Sequence, residues 1–335
     1  RRLSGPDRLN PVVHAGTISV FLLGVVVVTG LYITLFFEFG FAASYDSVAS
    51  MEEHPIQRLM RALHRYSSAA LVLTTLVHGW KVFTSRRFVG PRRRWRWASG
   101  IASLTLVWLA GVTGYWLIWD RRAAAISEAV AQLLKPTGGG SRFAVRNLVG
   151  VSPGSGSGLL LAIWFAHIIL TIVIGWFMFR HLRRSKQPWL PPRAWMIVMG
   201  LSLVLAGLLV PVGMLGPARP DQLVVDMPLD PFVLFLLPPL LSGWRWIALL
   251  IMVLAPLVVV LVPRMLRRED PDVVVIDDDA CTGCELCVID CPFDALSMTS
   301  PPGEVDGQPA AKHGIALLDA DQCVACGICV GSCAF

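Results

Sequence analysis

The first 280 residues contain no cysteine. That absence excludes disulfides from most of the chain, and covalent haem attachment through a C-x-x-C-H motif. Acidic residues are nearly as scarce: residues 1–268 hold 10 Asp/Glu against 28 Lys/Arg. A nucleotide-binding glycine fingerprint is missing, so the sequence offers no sign of substrate chemistry on a nucleotide. Charge is thin at 16%, apolar residues make up 55%, and mean hydropathy is +0.62. A soluble core does not need so much apolar surface. This is membrane-protein composition.

What is present divides in two. The overall net charge of +6 hides +18 in residues 1–268 and −12 in residues 269–335. All eight cysteines fall between Cys281 and Cys333, in the acidic part. Six apolar segments precede it: about Val12–Phe37 (A), Pro55–Phe83 (B), Ala98–Trp119 (C), Gly158–Phe179 (D), Ala194–Gly216 (E) and Trp246–Val262 (F). Each is expected to span a bilayer as a helix, with tryptophans such as Trp95, Trp119, Trp189 and Trp246 near the ends as an aromatic belt. The first run is about 25 residues long and lacks a small-residue cleavage site, so it reads as a span and not as a cleavable leader.

Segments B and D each carry two histidines 14 positions apart, His64 with His78 and His167 with His181. At about 100° and about 1.5 Å per residue, 14 positions put both on nearly one helix face, roughly 21 Å apart. Two such helices facing each other offer two bis-histidine sites at two depths, and neutral imidazole is a usual axial ligand for haem iron. A single histidine in an apolar helix is more simply a satisfied core residue. The repeated interval argues otherwise, because segments A and C repeat it in glycine: Gly16 with Gly30, and Gly100 with Gly114. A flat macrocycle between helices needs positions without a side chain at matching depths. His14, His54 and His313 have no counterpart at matching depth and read as structural or solvent-facing.

These four segments resemble helices A to D of cytochrome b, the di-haem subunit of respiratory and photosynthetic quinol reductases. Thr113-Gly114-Tyr115-Trp116-Leu117-Ile118-Trp119-Asp120 is similar to the family's G-Y-x-L-P-W segment at the outer end of helix C, with Ile118 in place of the proline. Between E and F the family carries P-E-W-Y, whose glutamate takes part in quinol oxidation. Here Met227-Pro228-Leu229-Asp230-Pro231-Phe232 stands in that place, with the proline and aromatic positions displaced. Asp230 is then the candidate acceptor of a quinol proton. Equally, it caps a short re-entrant helix. Arg58, Arg61 and Arg65 open segment B, where they either snorkel to the interface or pair with haem propionates; Arg65 is the cofactor-binding candidate.

Loop charge sets the expected orientation. The B–C and D–E loops are basic and free of acid, whereas the A–B loop carries Glu38, Asp46, Glu52 and Glu53. Both termini then lie in the cytoplasm. The C–D loop dissents mildly, with five bases and two acids; its Ala123–Leu134 stretch reads as an amphipathic helix on the outer face. His64 and His167 become outer ligands with Gly30 and Gly114, and His78 and His181 inner ligands with Gly16 and Gly100.

Beyond Arg268 the hydrophobicity ends. Val273-Val274-Val275-Ile276 reads as an opening strand, ahead of Cys281-x2-Cys284-x2-Cys287-x3-Cys291-Pro292 and Cys323-x2-Cys326-x2-Cys329-x3-Cys333. Two zinc sites are the alternative, but they lack a fourth cysteine at x3 followed by proline. The doubled run resembles the bacterial two-cluster ferredoxin. That resemblance implies one [4Fe–4S] cluster on Cys281, Cys284, Cys287 and Cys333, and another on Cys323, Cys326, Cys329 and Cys291. Ala334 stands where the first run has Pro292, and Ser297–Gly314 is an insertion between the halves, expected as a surface loop.

The expected architecture is an all-α membrane bundle of six transmembrane helices followed by a small α+β ferredoxin-like domain. Its boundaries are 10–190 for a four-helix di-haem bundle, 191–268 for two further spans and 269–335 for the cluster domain. The expected function is electron transfer between a quinone, two b haems and two [4Fe–4S] clusters. The chain would work as a subunit of an oxidoreductase complex in a bacterial-type cytoplasmic membrane. Expected partners are other subunits, an outer-face cytochrome or iron–sulfur protein among them, and no nucleic acid. The rival reading is a quinone-independent conduit from a cytoplasmic reductase to an outer-face acceptor.

Overall fold

In the computed structural model, the described residues are 10–84, 91–134, 156–183, 188–218, 228, 230–265, 273–291, 293, 295–299, 314–320, 322–323 and 327–333. Mostly helical, the chain forms two compact units. One comprises Arg1–His78, Ala102–Trp176 and Leu190–Val258, the other Gly79–Ile101, Phe177–Trp189 and Val259–Phe335.

The apolar segments are helices α1 (Pro11–Thr34), α3 (Pro55–Thr84), α4 (Pro91–Leu117), α6 (Gly156–Leu182), α7 (Arg193–Leu209) and α9 (Arg245–Met265). Three of them are long and apolar enough to cross a membrane: Pro11–Thr34, Arg94–Leu117 and Gly158–Leu182. Helix α1 starts where Asn10 Oδ1 accepts from Val12 N at 3.0 Å and Pro11 takes the first helical turn. Small residues on α1 let α3 approach: buried Ser19 donates to Ala15 O and to Thr74 Oγ1, both at 2.9 Å. Helix α7 closes on α3 at Gly207, where a Cβ would lie 3.1 Å from Leu59 and 3.2 Å from Ala62. Segment E was expected to run to Gly216. The helix ends at Leu209, and Val210 turns to extended backbone before Pro211. The freed carbonyls find other donors: Tyr66 OH bonds Val210 O at 2.8 Å, and Arg61 bonds Val212 O at 3.0 Å.

Helix α2 (Phe41–Glu53), within the acidic A–B connection, buries Ser44, Val48 and Met51 at helical spacing. Buried Arg61 reaches it through an ion pair with Glu52. Helix α5 (Arg121–Leu134) is the amphipathic helix expected from Ala123–Leu134. Its apolar face, however, is covered by protein: Ala125, Ile126 and Ala129 pack against Val233, Leu234, Leu237 and Leu240 around the short α8 (Leu237–Leu241). At its start, buried Asp120 accepts from the backbone N–H of Arg122 and Ala123, and its other oxygen pairs with the Arg122 guanidinium at 3.2 Å.

In the second unit, Trp97 Nε1 donates to Val259 O at 2.7 Å. Among the described residues of the cysteine-bearing part, the regular elements are α10 (Leu286–Ile289), α11 (Ile328–Ser332) and antiparallel strands β1 (Leu296–Met298) and β2 (Ala316–Leu318), paired Leu296 to Leu318 and Met298 to Ala316. Val273–Ile276 is not a strand. Val273 and Ile276 instead pack on Cys291, Ala295, Leu296 and Cys323, while Val275 is 87% exposed. Most of the Ser297–Gly314 insertion lies outside the described residues.

Candidate functional site: facing histidines and a cysteine cradle

Helix geometry alone puts His64 and His78 on one side of α3, and His167 and His181 on one side of α6. Tertiary packing brings His64 and His167 face to face, with ring centroids 6.4 Å apart and planes at 55°. A metal–imidazole bond of about 2.0–2.1 Å, plus a ring radius of about 1.2 Å on each side, gives about 6.4 Å for two histidines sharing one ion. The spacing fits a bis-histidine iron.

The proton positions fit as well. His64 Nδ1 lies 3.0 Å from Val26 O and 3.3 Å from Thr29 Oγ1, and His167 Nδ1 lies 3.0 Å from Thr113 Oγ1. A carbonyl can only accept, so Nδ1 of His64 carries the proton and Nε2 keeps its lone pair. That is the tautomer a metal-binding imidazole needs.

Three of the four glycines lie against a histidine. A Cβ on Gly30 would lie 3.0 Å from His64 Cε1, and one on Gly114 would lie 3.3 Å from His167 Cε1. At the other level a Cβ on Gly16 would come within 2.8 Å of His78 Nδ1, closer than side chains tolerate. Gly100 has open space around it.

Asp230 and Arg65, 165 positions apart, form an ion pair at 2.6 Å. Tyr115 OH donates to the same carboxylate oxygen at 3.1 Å, and the guanidinium of Arg65 sits 5.2 Å over the Tyr115 ring. The other Asp230 oxygen accepts from Phe232 N at 2.8 Å and Val233 N at 3.0 Å, capping the turn that leads to α8. Burial alone would push this carboxyl up. The two backbone N–H groups, Arg65 and Tyr115 outweigh it and hold Asp230 below its ordinary value. The cap expected as one of two roles is therefore present. Arg65, expected at a haem propionate, has Asp230 as its charged partner here.

Cys291, Cys323 and Cys329 line one small apolar cavity with Val274, Phe293 and Leu296. Cys291 of the first run thus shares this cavity with Cys323 and Cys329 of the second. Ala295 N donates to Cys291 Sγ at 3.3 Å. At the other set, burial and then the neighbouring Cys284 and Cys281 sulfurs push the Cys287 thiol up. An all-thiol donor set suits iron–sulfur clusters. Among the described residues, no three His/Cys/Asp/Glu side chains converge tightly enough for a single ion. Glu285 and Gly327, one residue after Cys284 and Cys326, both take left-handed backbone (φ 62° and 75°) and start α10 and α11. Ser332 then ties α11 to Asp290 at 2.6 Å. Cys326, Pro292, Leu229, Met227 and His313 lie outside the described residues.

Thr29 and Thr113 are functional candidates that the sequence reading passed over. Their signal was available: each stands directly before a glycine, Gly30 or Gly114.

Paired histidines on apolar helices, with glycines against them and a thiol-lined domain beyond, define a membrane electron-transfer protein of haem and iron–sulfur type. Residues 2–187 match the family described as Cytochrome b/b6/petB, more than half of the chain, and residues 280–335 match the 4Fe-4S dicluster domain. The chain belongs to the cytochrome b family. It is 27% identical over 187 residues to the cytochrome b6 of Desmonostoc sp., covering 54% of this chain and 85% of that one. To the cytochrome b6 of Gloeobacter violaceus it is 30% identical over 117 residues, covering 35% of this chain and 54% of that one. The chain thus spans about half the length of the latter relative. A solved structure titled "Hyperthermophilic respiratory Complex III" shares the fold, with a TM-score of 0.61 at 15% identity over 76% of this chain and 75% of that one. Membership implies an integral membrane protein with haem b, and the dicluster match implies iron–sulfur clusters.

Proposed function

We propose that the chain carries electrons between a quinone, two b haems and two [4Fe–4S] clusters, as a subunit of a membrane quinone/quinol oxidoreductase. The facing pair His64 and His167, with its Nδ1 positions already engaged, carries the reading. These two would hold the outer haem between Gly30 and Gly114. His78 and His181, assigned by the 14-residue spacing, would hold the inner one with Gly16 and Gly100. The clusters take Cys281, Cys284, Cys287 and Cys333, and Cys323, Cys326, Cys329 and Cys291. Bound haem and clusters supply one-electron carriers. The protein's own contribution is to orient the imidazoles, exclude water and set donor strength.

Helices α1, α3, α4, α6, α7 and α9 are assigned as six spans. The basic loops, the termini and the cluster domain face the cytoplasm, and the domain boundaries are 10–190, 191–268 and 269–335. The acidic cluster domain has complementary charge to those loops. Partners are other subunits of the complex, an outer-face cytochrome or iron–sulfur protein among them.

The rival reading, a conduit without a quinone site, draws on one observation. Asp230 is committed to Arg65 and to its own turn, which makes it a weak base toward a quinol. Pyridine haemochrome and non-haem iron assays on the purified chain should give about two haems and about eight non-haem irons; one haem, or zinc in place of iron, overturns the proposal. A haem spectrum that shifts on adding quinone supports quinone exchange, and an unchanged one supports the conduit. In a folded His181→Leu protein that retains its other haem, transfer from the clusters to the outer haem should be lost.

A further inference from the structure

Among the described residues, two buried side-chain polar atoms have no hydrogen-bond partner, His14 Nε2 and Arg121 Nε. An imidazole can leave Nε2 unprotonated, but Arg121 Nε always carries its proton and a share of the guanidinium charge. In the compact unit that holds Arg121, three other arginines are matched: Arg61 by Glu52, Arg65 by Asp230 and Arg122 by Asp120. Arg121 is partly buried and has no such carboxylate among the described residues. Its neighbour Asp120 is fully buried and already committed to the Arg122 guanidinium and to the N–H groups of Arg122 and Ala123. The Arg121 main chain is fixed as well, with its N–H on Gly216 O at 3.1 Å. One positive charge is left over at the start of α5. A donor and a charge taken from water without a partner destabilise the fold that holds them.

Depth in the membrane supplies the missing anion. The apolar span Arg94–Leu117 ends shortly before Arg121, and Trp119 stands between them. Aromatic side chains gather at this level: Trp119 stacks on Phe41 with centroids 4.2 Å apart, and Trp164 meets Phe39 at 5.7 Å. Phe39 and Phe165 stay 36% and 51% exposed. Aromatic residues at the ends of spans mark the level where lipid head groups begin. The planar fork of a guanidinium matches a phosphate in geometry and charge. We propose that Arg121 binds the phosphate of an anionic phospholipid head group. A zwitterionic head group brings its own cation beside the phosphate, so the unmatched charge of Arg121 selects the anionic kind. The site does not depend on which groups the histidines and cysteines hold.

Arg121→Met keeps an apolar stem and removes the charge and the donors. Arg58→Met, at an exposed arginine of α3, is the control. The purified full chains are titrated in detergent with phosphatidylglycerol, phosphatidylcholine or inorganic phosphate. Bound lipid is counted by native mass spectrometry, and thermal unfolding of the holoprotein is followed. The parent should retain phosphatidylglycerol in preference to phosphatidylcholine and unfold at a higher temperature with it. Inorganic phosphate should neither displace the lipid nor reproduce the shift. Arg121→Met should bind phosphatidylglycerol about tenfold more weakly, whereas the control should match the parent. Without lipid, Arg121→Met should be at least as stable as the parent, because it no longer buries an unpaired charge. Equal binding of phosphatidylglycerol by parent and variant overturns the proposal, as does equal retention of the two lipids by the parent. Displacement of the lipid by inorganic phosphate would assign the site to a free anion instead. Loss of a co-purifying subunit with lipid binding unchanged would assign Arg121 to a carboxylate of that partner. Should methionine itself disturb the packing, Arg121→Gln is read by the same criteria. Both variants destabilised alike with and without lipid would leave Arg121 a packing role only, and the proposal would fall.

Discussion

The helical bundle and the cysteine region hold their metal-binding side chains by different means. In the bundle, backbone hydrogen bonds along each helix fix ligand depth before any cofactor enters. Val26 O, Thr29 and Thr113 then hold the imidazoles from behind. Around the cysteines, the regular structure among the described residues comes to helices of four and five residues and two strands of three. So small a scaffold buries little apolar surface and takes much of its folding energy from the metal it binds. The bundle is a frame with a site in it, while the cysteine region is a site that makes its own frame.

Removing iron should separate the two most sharply. Chelation under reducing conditions is expected to abolish the hydrogen-exchange protection of residues 273–333 and leave that of α1 and α6 nearly intact. Equal loss in both would mean that the bundle is no more preformed than the cysteine region. Next in size, Cys333→Ser should damage the cluster built on Cys281, Cys284 and Cys287, although its sequence neighbours are the other three. EPR showing only the other cluster altered would remove the cross-ligated reading.

Within the bundle, alanine at the four glycines should reduce haem content in the order Gly16, Gly30, Gly114, Gly100, following the approaches of 2.8, 3.0 and 3.3 Å and the open space at Gly100. A large loss from Gly100→Ala would show that bound haem, more than the facing histidine, sets the need for glycine. The smallest effect is expected at Asp230. Its carboxylate has 8% relative exposure, and leaving its partners unsatisfied in Asp230→Ala should cost about 1–3 kcal/mol, read from thermal unfolding of the holoprotein. Its lowered folded-state value means that this contribution is complete above the unfolded carboxyl value of about 4 and is lost as pH falls through the folded one. Parent and variant should therefore converge in stability only below about pH 4. Convergence near neutral pH would show the Arg65 pairing to be inert.

Much of the site was legible because it is written in local geometry. A 14-residue interval fixes depth and face on any α-helix, so His64, His78, His167, His181 and their glycines could be ranked by level without knowing the packing. The C-x2-C-x2-C-x3-C runs were equally plain, since three thiolates wrapping one cubane constrain spacing along the chain. Other features left no periodic trace. Helix α2 has too few apolar residues to stand out from a charged loop. The Val273–Ile276 run has strand composition yet pairs with no strand among the described residues, and finds burial for only part of its length.

The sequence by itself determined the histidines, glycines and cysteines, their spacing along the chain, and the division into apolar and acidic parts. Rise per residue and side-chain chemistry are properties of the chain. Only the tertiary structure decided that His64 faces His167 at 6.4 Å, that Asp230 meets Arg65 across 165 positions, and that two threonines stand behind these imidazoles. Each is a contact between elements distant along the chain. Such contacts follow from how whole helix faces pack together, and no local pattern of residues records which partner a face will meet.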